Sequence, residues 1–101
     1  MPEIKDVLQQ RNGTHGNFLD TCATTQELMQ VLYRGSNFGA LSAPQVESLH
    51  MMAHKLARIV NGDPNFEDHW IDIEGYSTLV RIHCIHPLMN AKAQASHDPN
   101  R

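Results

Sequence analysis

The sequence predicts an all-α fold, a bundle of three or four helices paired antiparallel. Apolar residues recur every three or four positions along four segments, and helix caps or turn residues separate these segments. No segment shows a convincing alternation of apolar and polar residues, so strands are not expected. A length of 101 residues, with 41% hydrophobic and 19% charged residues, fits one globular domain. We assign this helical domain to residues 1–89 and a polar, flexible tail to residues 90–101.

Turn residues mark the ends of the first two helices. Pro2 suits a first helical position, and we expect the helix that follows it to end by Asn12–Gly13. A second helical segment carries apolar residues from Phe18 to Tyr33 and should stop near Gly35, and either Thr24 or Thr25 could equally be its N-cap. The connection between these helices is polar, so it is either a solvated connector or a loop that lies over a site. Its polar side chains are Arg11, His15 and Asn17.

The third helix has the clearest boundaries. Ser42 can cap its start and Gln45 can complete a capping box, which satisfies two backbone N–H groups reciprocally. The helix should run to Asn61, with Gly62 as a left-handed cap residue. Its apolar stripe has the spacing of a helix packed lengthwise on others. The stripe consists of Val46, Leu49, Ala53, Leu56 and Val60.

The fourth helix should begin near Phe66 or Glu67, continue to about His86 and be stopped by Pro87. It is apolar on more than one side, which is typical of a central helix or of a helix between subunits. We expect both, and therefore a homo-oligomer, a dimer or tetramer, formed through this C-terminal helix. Its apolar residues are Trp70, Ile71, Ile73, Tyr76, Leu79, Val80, Ile82 and Ile85.

Charge and composition make several classes of function less attractive. A net charge of −3 argues mildly against a protein that coats nucleic acid. A helix-turn-helix would need Arg or Lys at the start of its recognition helix, where residues 44–47 have none. No apolar run approaches a membrane span, and no signal sequence is visible. Cys22 and Cys84 form no CxxC pair, so we expect a cytoplasmic protein without membrane or nucleic-acid partners.

Two helices carry polar residues at helical spacing. On the third helix these residues are Glu47, His50, His54 and Arg58. On the fourth helix they are Asp68, Asp72 and Tyr76. If the helices are antiparallel, the two polar faces meet. The pattern fits either a functional site or the solvated face of an ordinary helical pair.

The functional interpretation is a metal-and-phosphate site. Glu47, Asp68 and Asp72 are oxygen ligands of the kind that Mg²⁺ or Mn²⁺ prefers. Such a metal binds phosphate oxygens and can activate a water for attack on phosphorus. Lys55 and Arg58 would hold the phosphate. His50-xxx-His54 would also suit half of a zinc site, but HExxH and CxxC motifs are absent. Tyr76 or Trp70 would stack on a base.

The third and fourth helices resemble a group of small phage and prophage proteins of unassigned function. That group shares a K-x-x-R-I segment followed by D-x-W-x-D-I-x-G-Y. The matching residues are Lys55, Arg58, Ile59, Asp68, Trp70, Asp72, Ile73, Gly75 and Tyr76. The upstream residues 11–18 are similar to the group's R-x-x-x-H/Y-G-x-F segment.

The group is more distantly similar to all-α nucleoside triphosphate pyrophosphohydrolases, including MazG-like proteins and dimeric dUTPases. This likeness implies a helical oligomer that binds Mg²⁺ through E-x-x-E and E-x-x-D and cleaves a nucleotide between its α- and β-phosphates. Glu47 stands for the first Glu and Asp72 for the last Asp, whereas His50 and His69 occupy the other two positions.

The function we predict is therefore metal-dependent nucleotide handling. Glu47, Asp68 and Asp72 would bind the metal, and a nucleoside triphosphate would lie against Lys55 and Arg58. The base would stack on Tyr76, while His50 or His54 would orient the attacking water or act as a ligand. The alternative is a non-catalytic helical oligomer with an accessory or interaction role.

Overall fold

A computed structural model describes residues 3–86, and every regular element in that range is helical. The four α-helices are α1 (Ile4–His15), α2 (Phe18–Tyr33), α3 (Ala43–Asn61) and α4 (Glu67–Val80). A 3₁₀ turn (Phe38–Ala40) lies between α2 and α3, and a π-helical turn (Arg81–Ile85) extends α4. The all-α prediction is confirmed. The predicted stop at Pro87 and the predicted tail at 90–101 lie outside the described residues.

Helix α1 is longer than the sequence suggested. Its predicted end at Asn12–Gly13 is wrong, because the helix continues to His15. Gly13 lies within the helix at a position where a side chain would meet no other atom. The chain leaves the helix at Gly16, which has a φ of 85° and donates its N–H to the Asn12 carbonyl at 3.0 Å. A glycine adopts this left-handed region without steric cost.

The start of α2 is fixed by Asn17. Its side-chain oxygen accepts from the N–H groups of Leu19 and Asp20 at 3.0 and 3.2 Å. The predicted caps at Thr24 and Thr25 are therefore wrong. Both threonines lie inside α2, where their hydroxyls donate to the backbone carbonyls four residues earlier.

The boundaries of α3 agree with the prediction. The Ser42 N–H donates to Oε1 of Gln45 at 2.9 Å, and the Gln45 N–H donates to Oγ of Ser42 at 3.4 Å. The helix ends at Asn61, as expected. Gly62 is not a left-handed cap, since its φ is −119°. A Cβ there would lie 2.5 Å from the Thr14 carbonyl oxygen, so close packing against the end of α1 requires the glycine.

Helix α3, and not α4, is the central helix. It packs between α2 and α4, and the end of α1 also contacts it. The Asn61 amide donates to the Thr24 hydroxyl at 3.0 Å, while Leu32 and Leu49 line one groove near the other end of the pair, so α2 and α3 are antiparallel. Helix α4 returns along the opposite side of α3. The prediction that α4 occupies the centre is wrong, because it packs mainly on one neighbour.

The core is small and the fold is flat. The buried apolar side chains of the described residues are Met29, Ala53, Ala57 and Ile59. The predicted stripe on α3 is only partly buried, since Leu56 is 43% exposed and Val60 is 70% exposed. The principal extents are 47 × 41 × 21 Å, and the shortest equals about two helix diameters. A layer this thin leaves apolar side chains uncovered.

Two glycine substitutions should change stability in opposite directions. Gly62→Ala should lower the free energy of unfolding by about 1–3 kcal/mol, because the new Cβ overlaps the end of α1. Gly13→Ala should raise it by about 0.5–1 kcal/mol, because Ala favours the helix and meets no neighbour. Urea unfolding followed by circular dichroism measures both. Equal effects in the two variants would contradict the close approach of α1 and α3.

Candidate functional site

The end of α1 is fixed to the α3–α4 turn through one carbonyl group. The Thr14 carbonyl oxygen accepts from the backbone N–H of Asp63 at 3.1 Å and from Nε2 of His69 at 2.9 Å. His69 is only 1% exposed. Because a carbonyl can only accept, Nε2 of His69 carries the proton. This contact positions the side chains that α1 presents towards α3.

His15 lies directly beside this contact. Its ring packs edge-on against His69, with ring centroids 4.9 Å apart, and lies 5.7 Å from the ring of Phe66. Its Nδ1 is hydrogen-bonded to the Thr14 hydroxyl. Burial, together with the positive charges of Arg58 and Arg11, lowers the pKa of His15 to about 4. His15 is therefore neutral at pH 7.

A cavity of about 200 Å³ lies between α1, the start of α2 and α3. We call it the basic cavity, because its lining includes four cationic or imidazole side chains. These are Arg11 and His15 from α1, and His54 and Arg58 from α3. Leu8, Phe18 and Cys22 supply apolar and thiol surface. No Asp or Glu is among the lining residues.

Burial and the positive charges of its arginines together set the electrostatics of the basic cavity. Burial lowers the pKa of Arg58, and the positive charge of Arg11 lowers it further, while Asp72 acts in the opposite direction. Burial and then the charges of Arg58 and Lys55 also lower the pKa of His54. Arg58 is thus partly desolvated beside imidazoles that favour the neutral form, while Arg11 is exposed at the cavity.

The polar faces of α3 and α4 meet at one ion pair. Nζ of Lys55 lies 3.0 Å from Oδ2 of Asp72. The Lys55 side chain is 12% exposed and the Asp72 side chain 44% exposed. The Asp72 carboxylate thus contacts one of the two cations that were predicted to hold phosphate. Lys55 therefore neutralises the carboxylate that was expected to bind a metal.

The other proposed metal ligands lie elsewhere. Glu47 is exposed and lines a groove with Tyr76, about 12 Å along α3 from Lys55 at a rise of about 1.5 Å per residue. Asp68 is exposed in the first turn of α4. Within residues 3–86, no group of three or more His, Cys, Asp or Glu side chains is placed to hold one metal ion.

The predicted nucleotide contacts also separate into two regions. His54 and Arg58 line the basic cavity, while Tyr76 lies in the groove with Glu47. His50 is half-buried one turn before His54. Trp70 donates its indole N–H to the Pro64 carbonyl at 2.8 Å, so its ring packs on the α3–α4 turn. Among the residues of the predicted site, Lys55 and Asp72 form an ion pair, and His54 and Arg58 line the same cavity.

Arg11 and His15 are cavity residues that the sequence interpretation did not include in the site. They were expected in a polar loop, but they are one turn apart on α1 and share a face. A spacing of four residues between Arg and His was the available signal. That spacing indicates a site only once α1 is known to lie against α3, where His54 and Arg58 complete the cavity.

Comparison with known proteins identifies one relationship. Residues 3–82 match the family described as "Domain of unknown function (DUF6378)". No curated protein and no solved structure matches the chain. Within the described residues, no helix is long and apolar enough to cross a membrane.

The lowered pKa of His15 predicts a pH-dependent stability. In the unfolded chain His15 binds a proton near pH 6.5, whereas in the folded chain it binds the proton only near pH 4. Between these values the unfolded state binds more protons than the folded state. The contribution of His15 to the free energy of unfolding is therefore complete above pH 6.5 and is lost as the pH falls towards 4. Urea unfolding at pH 7 and pH 5 should show a smaller loss in His15→Gln than in the parent. The same loss in both proteins would contradict the assignment.

Proposed function

Because the chain belongs to the DUF6378 family, whose function is unknown, we propose its function from the fold: it is a homo-oligomeric helical module. One observation carries this proposal, the open apolar face formed by α2, α3 and α4. The face surrounds a groove of about 320 Å³. Its side chains are Leu28, Val31, Leu32, Leu49, Met52, Leu56 and Ile73.

The exposure of this apolar face favours a partner. Val31 on α2 is 56% exposed, and Leu56 is 43% exposed although it belongs to the central helix α3. Contiguous apolar patches are uncommon on monomers and typical of interaction surfaces. A stable interface buries about 800 Å² per partner, and the layer is 47 × 41 Å in its plane. The layer is therefore large enough to provide an interface of that size.

The chemistry of the apolar face favours a second copy of the chain as the partner. A two-fold interface places each residue against the same surface of the other subunit, so like charges on that surface would repel. None of the residues that line the groove is charged. Two copies can therefore pack face to face and bury these side chains together, each contributing about 25 cal/mol per Å² of apolar area removed from water.

This proposal changes the surface that the sequence suggested for association. We expected the C-terminal helix to form the interface, and the apolar face instead lies mainly on α2 and α3. Helix α4 contributes Ile73 to that face. Its Trp70, Ile71 and Leu79 are also about half exposed, and they give a larger assembly a second surface.

Nucleotide handling is a second candidate function, and it is supported by the cations on α3. Lys55 and Arg58 are three residues apart on α3, and both of their charges act on His54. The likeness to MazG-like pyrophosphohydrolases and phage proteins adds a metal to this candidate. The carboxylates of one chain do not fit that metal, because Lys55 holds Asp72 and Glu47 is about 12 Å away along α3. We therefore derive no reaction step through Mg²⁺ or Mn²⁺.

One substitution should disrupt the proposed oligomer. Leu56→Glu places a charge in the middle of the apolar face, so sedimentation at micromolar concentration should change from dimer or larger to monomer. The matched control is Leu19→Glu, since Leu19 is 73% exposed and lies outside that face. Circular dichroism should show helical spectra for both variants. A monomeric parent protein, or a monomer produced equally by both substitutions, would contradict the proposal.

A separate assay tests the hydrolytic form of nucleotide handling. The parent and Asp72→Asn are incubated with nucleoside triphosphates and either Mg²⁺ or Mn²⁺, and release of pyrophosphate and monophosphate is followed. From the separated carboxylates we expect no release above background by either protein. If the parent releases pyrophosphate or monophosphate and Asp72→Asn does not, the carboxylates must form a metal site that is not seen within one chain.

A further inference from the structure

Two guanidinium groups line the basic cavity, and no Asp or Glu lines it with them. The positive charge of Arg11 disfavours that of Arg58, while Asp72 favours it from outside the lining. Among residues 3–86 the ion pairs are Lys5–Glu3 and Lys55–Asp72, so neither arginine is paired with a carboxylate there. A partly buried cation such as Arg58 is normally paired, because burial without a partner is unfavourable. An anion in the cavity would supply the missing charge.

The other polar groups narrow the chemistry of that anion. His15 and His54 both favour the neutral imidazole at pH 7, and a neutral imidazole offers one N–H donor. The two arginines together offer forked sets of N–H donors, which match the oxygens of a phosphate group. The Thr21 hydroxyl is already used, since it donates to the His15 carbonyl at 3.2 Å. A tetrahedral oxyanion therefore fits these donors better than a metal complex, which would need carboxylates.

The rim of the basic cavity suits an organic group attached to that phosphate. Phe18 is 73% exposed and Leu8 is 54% exposed, and both line the cavity. An exposed aromatic ring beside a cationic site can stack on a planar base or pack on another apolar group. Inorganic phosphate would leave this apolar surface uncovered.

We propose that the basic cavity is a metal-independent binding site for a phosphomonoester, in which Arg11 and Arg58 hold the phosphate and Phe18 contacts the organic group. This site lies between α1 and α3, and neither Lys55 nor Asp72 lines it. It adds Arg11, His15 and Phe18 to the residues with an assigned role. The proposal does not depend on the oligomer, because neither arginine lies on the apolar face.

The test is thermal unfolding of the full chain in EDTA, with adenosine monophosphate as the probe. Inorganic phosphate, adenosine and chloride at matched ionic strength are the comparison solutes. Adenosine monophosphate should raise the Tm by at least about 4 °C at concentrations well above its Kd. Inorganic phosphate should give a smaller rise, and adenosine or chloride none.

Variants assign the effect to the basic cavity. Arg11→Gln and Arg58→Gln should each weaken binding by at least about tenfold, because each removes charged hydrogen bonds to the phosphate. Arg34→Gln is the matched control, since Arg34 is exposed at the end of α2 and should leave binding unchanged. Without ligand, Arg11→Gln and Arg58→Gln should be at least as stable as the parent, because the repulsion between the two guanidiniums is gone.

Several results would overturn the proposal. These are no shift with either phosphate compound, a shift that needs Mg²⁺, or a shift retained in both cavity variants. An equal response to inorganic phosphate and adenosine monophosphate would overturn the role of Phe18 and the phosphomonoester assignment. Sedimentation of the parent separates this result from the oligomer, since a monomeric parent that still binds adenosine monophosphate would contradict only the oligomer.

Discussion

The contact at the Thr14 carbonyl determines how the rest of the structure is arranged. This oxygen accepts from the Asp63 N–H and from His69, which joins the end of α1 to the turn between α3 and α4. Gly16 and Gly62 allow this approach, because a Cβ on either would lie within 2.7 Å of the opposing backbone. The same contact brings Arg11 and His15 beside His54 and Arg58. The basic cavity is thus a consequence of one backbone junction.

The two surfaces of the layer have different characters. On the face formed by α2, α3 and α4, the lining side chains are apolar and uncharged. Where α1 crosses the end of α3, the lining side chains include two arginines and two histidines. A protein that associates through the first surface leaves the second open to a small ligand. The oligomer and the phosphomonoester site are therefore compatible, and each can exist without the other.

Local chemistry made some elements predictable and others not. The capping box at Ser42 and Gln45 depends on residues three apart, so sequence alone located the start of α3. Gly62 was correctly placed after α3, but its role is close packing against α1, which no local pattern indicates. The threonine caps were wrong because α2 already begins seven residues before Thr24, where the Asn17 side chain accepts from the N–H groups of Leu19 and Asp20.

The central helix and the site depended on tertiary contacts. Many apolar residues on α4 suggested a central position, but the number of apolar positions does not reveal which helices surround them. Lys55 and Arg58 were identified correctly as neighbours on one helix. Their neighbours on other helices were not identified. The contact of Lys55 with Asp72 depends on how α4 lies against α3, and the closeness of Arg58 to Arg11 depends on how α1 lies against α3.

Helix α1 is anchored at one end, and this has a mechanical consequence. None of its residues is buried, and Ile4 near its free end is 72% exposed. The helix is about 18 Å long at a rise of about 1.5 Å per residue, so a rotation of the helix about Gly16 moves the residues near Ile4 furthest. A rotation of about 10° there would displace Ile4 by about 3 Å and Arg11 by much less. Backbone amides of α1 should exchange with solvent faster towards Ile4 than those of α3, since few contacts must break to release them.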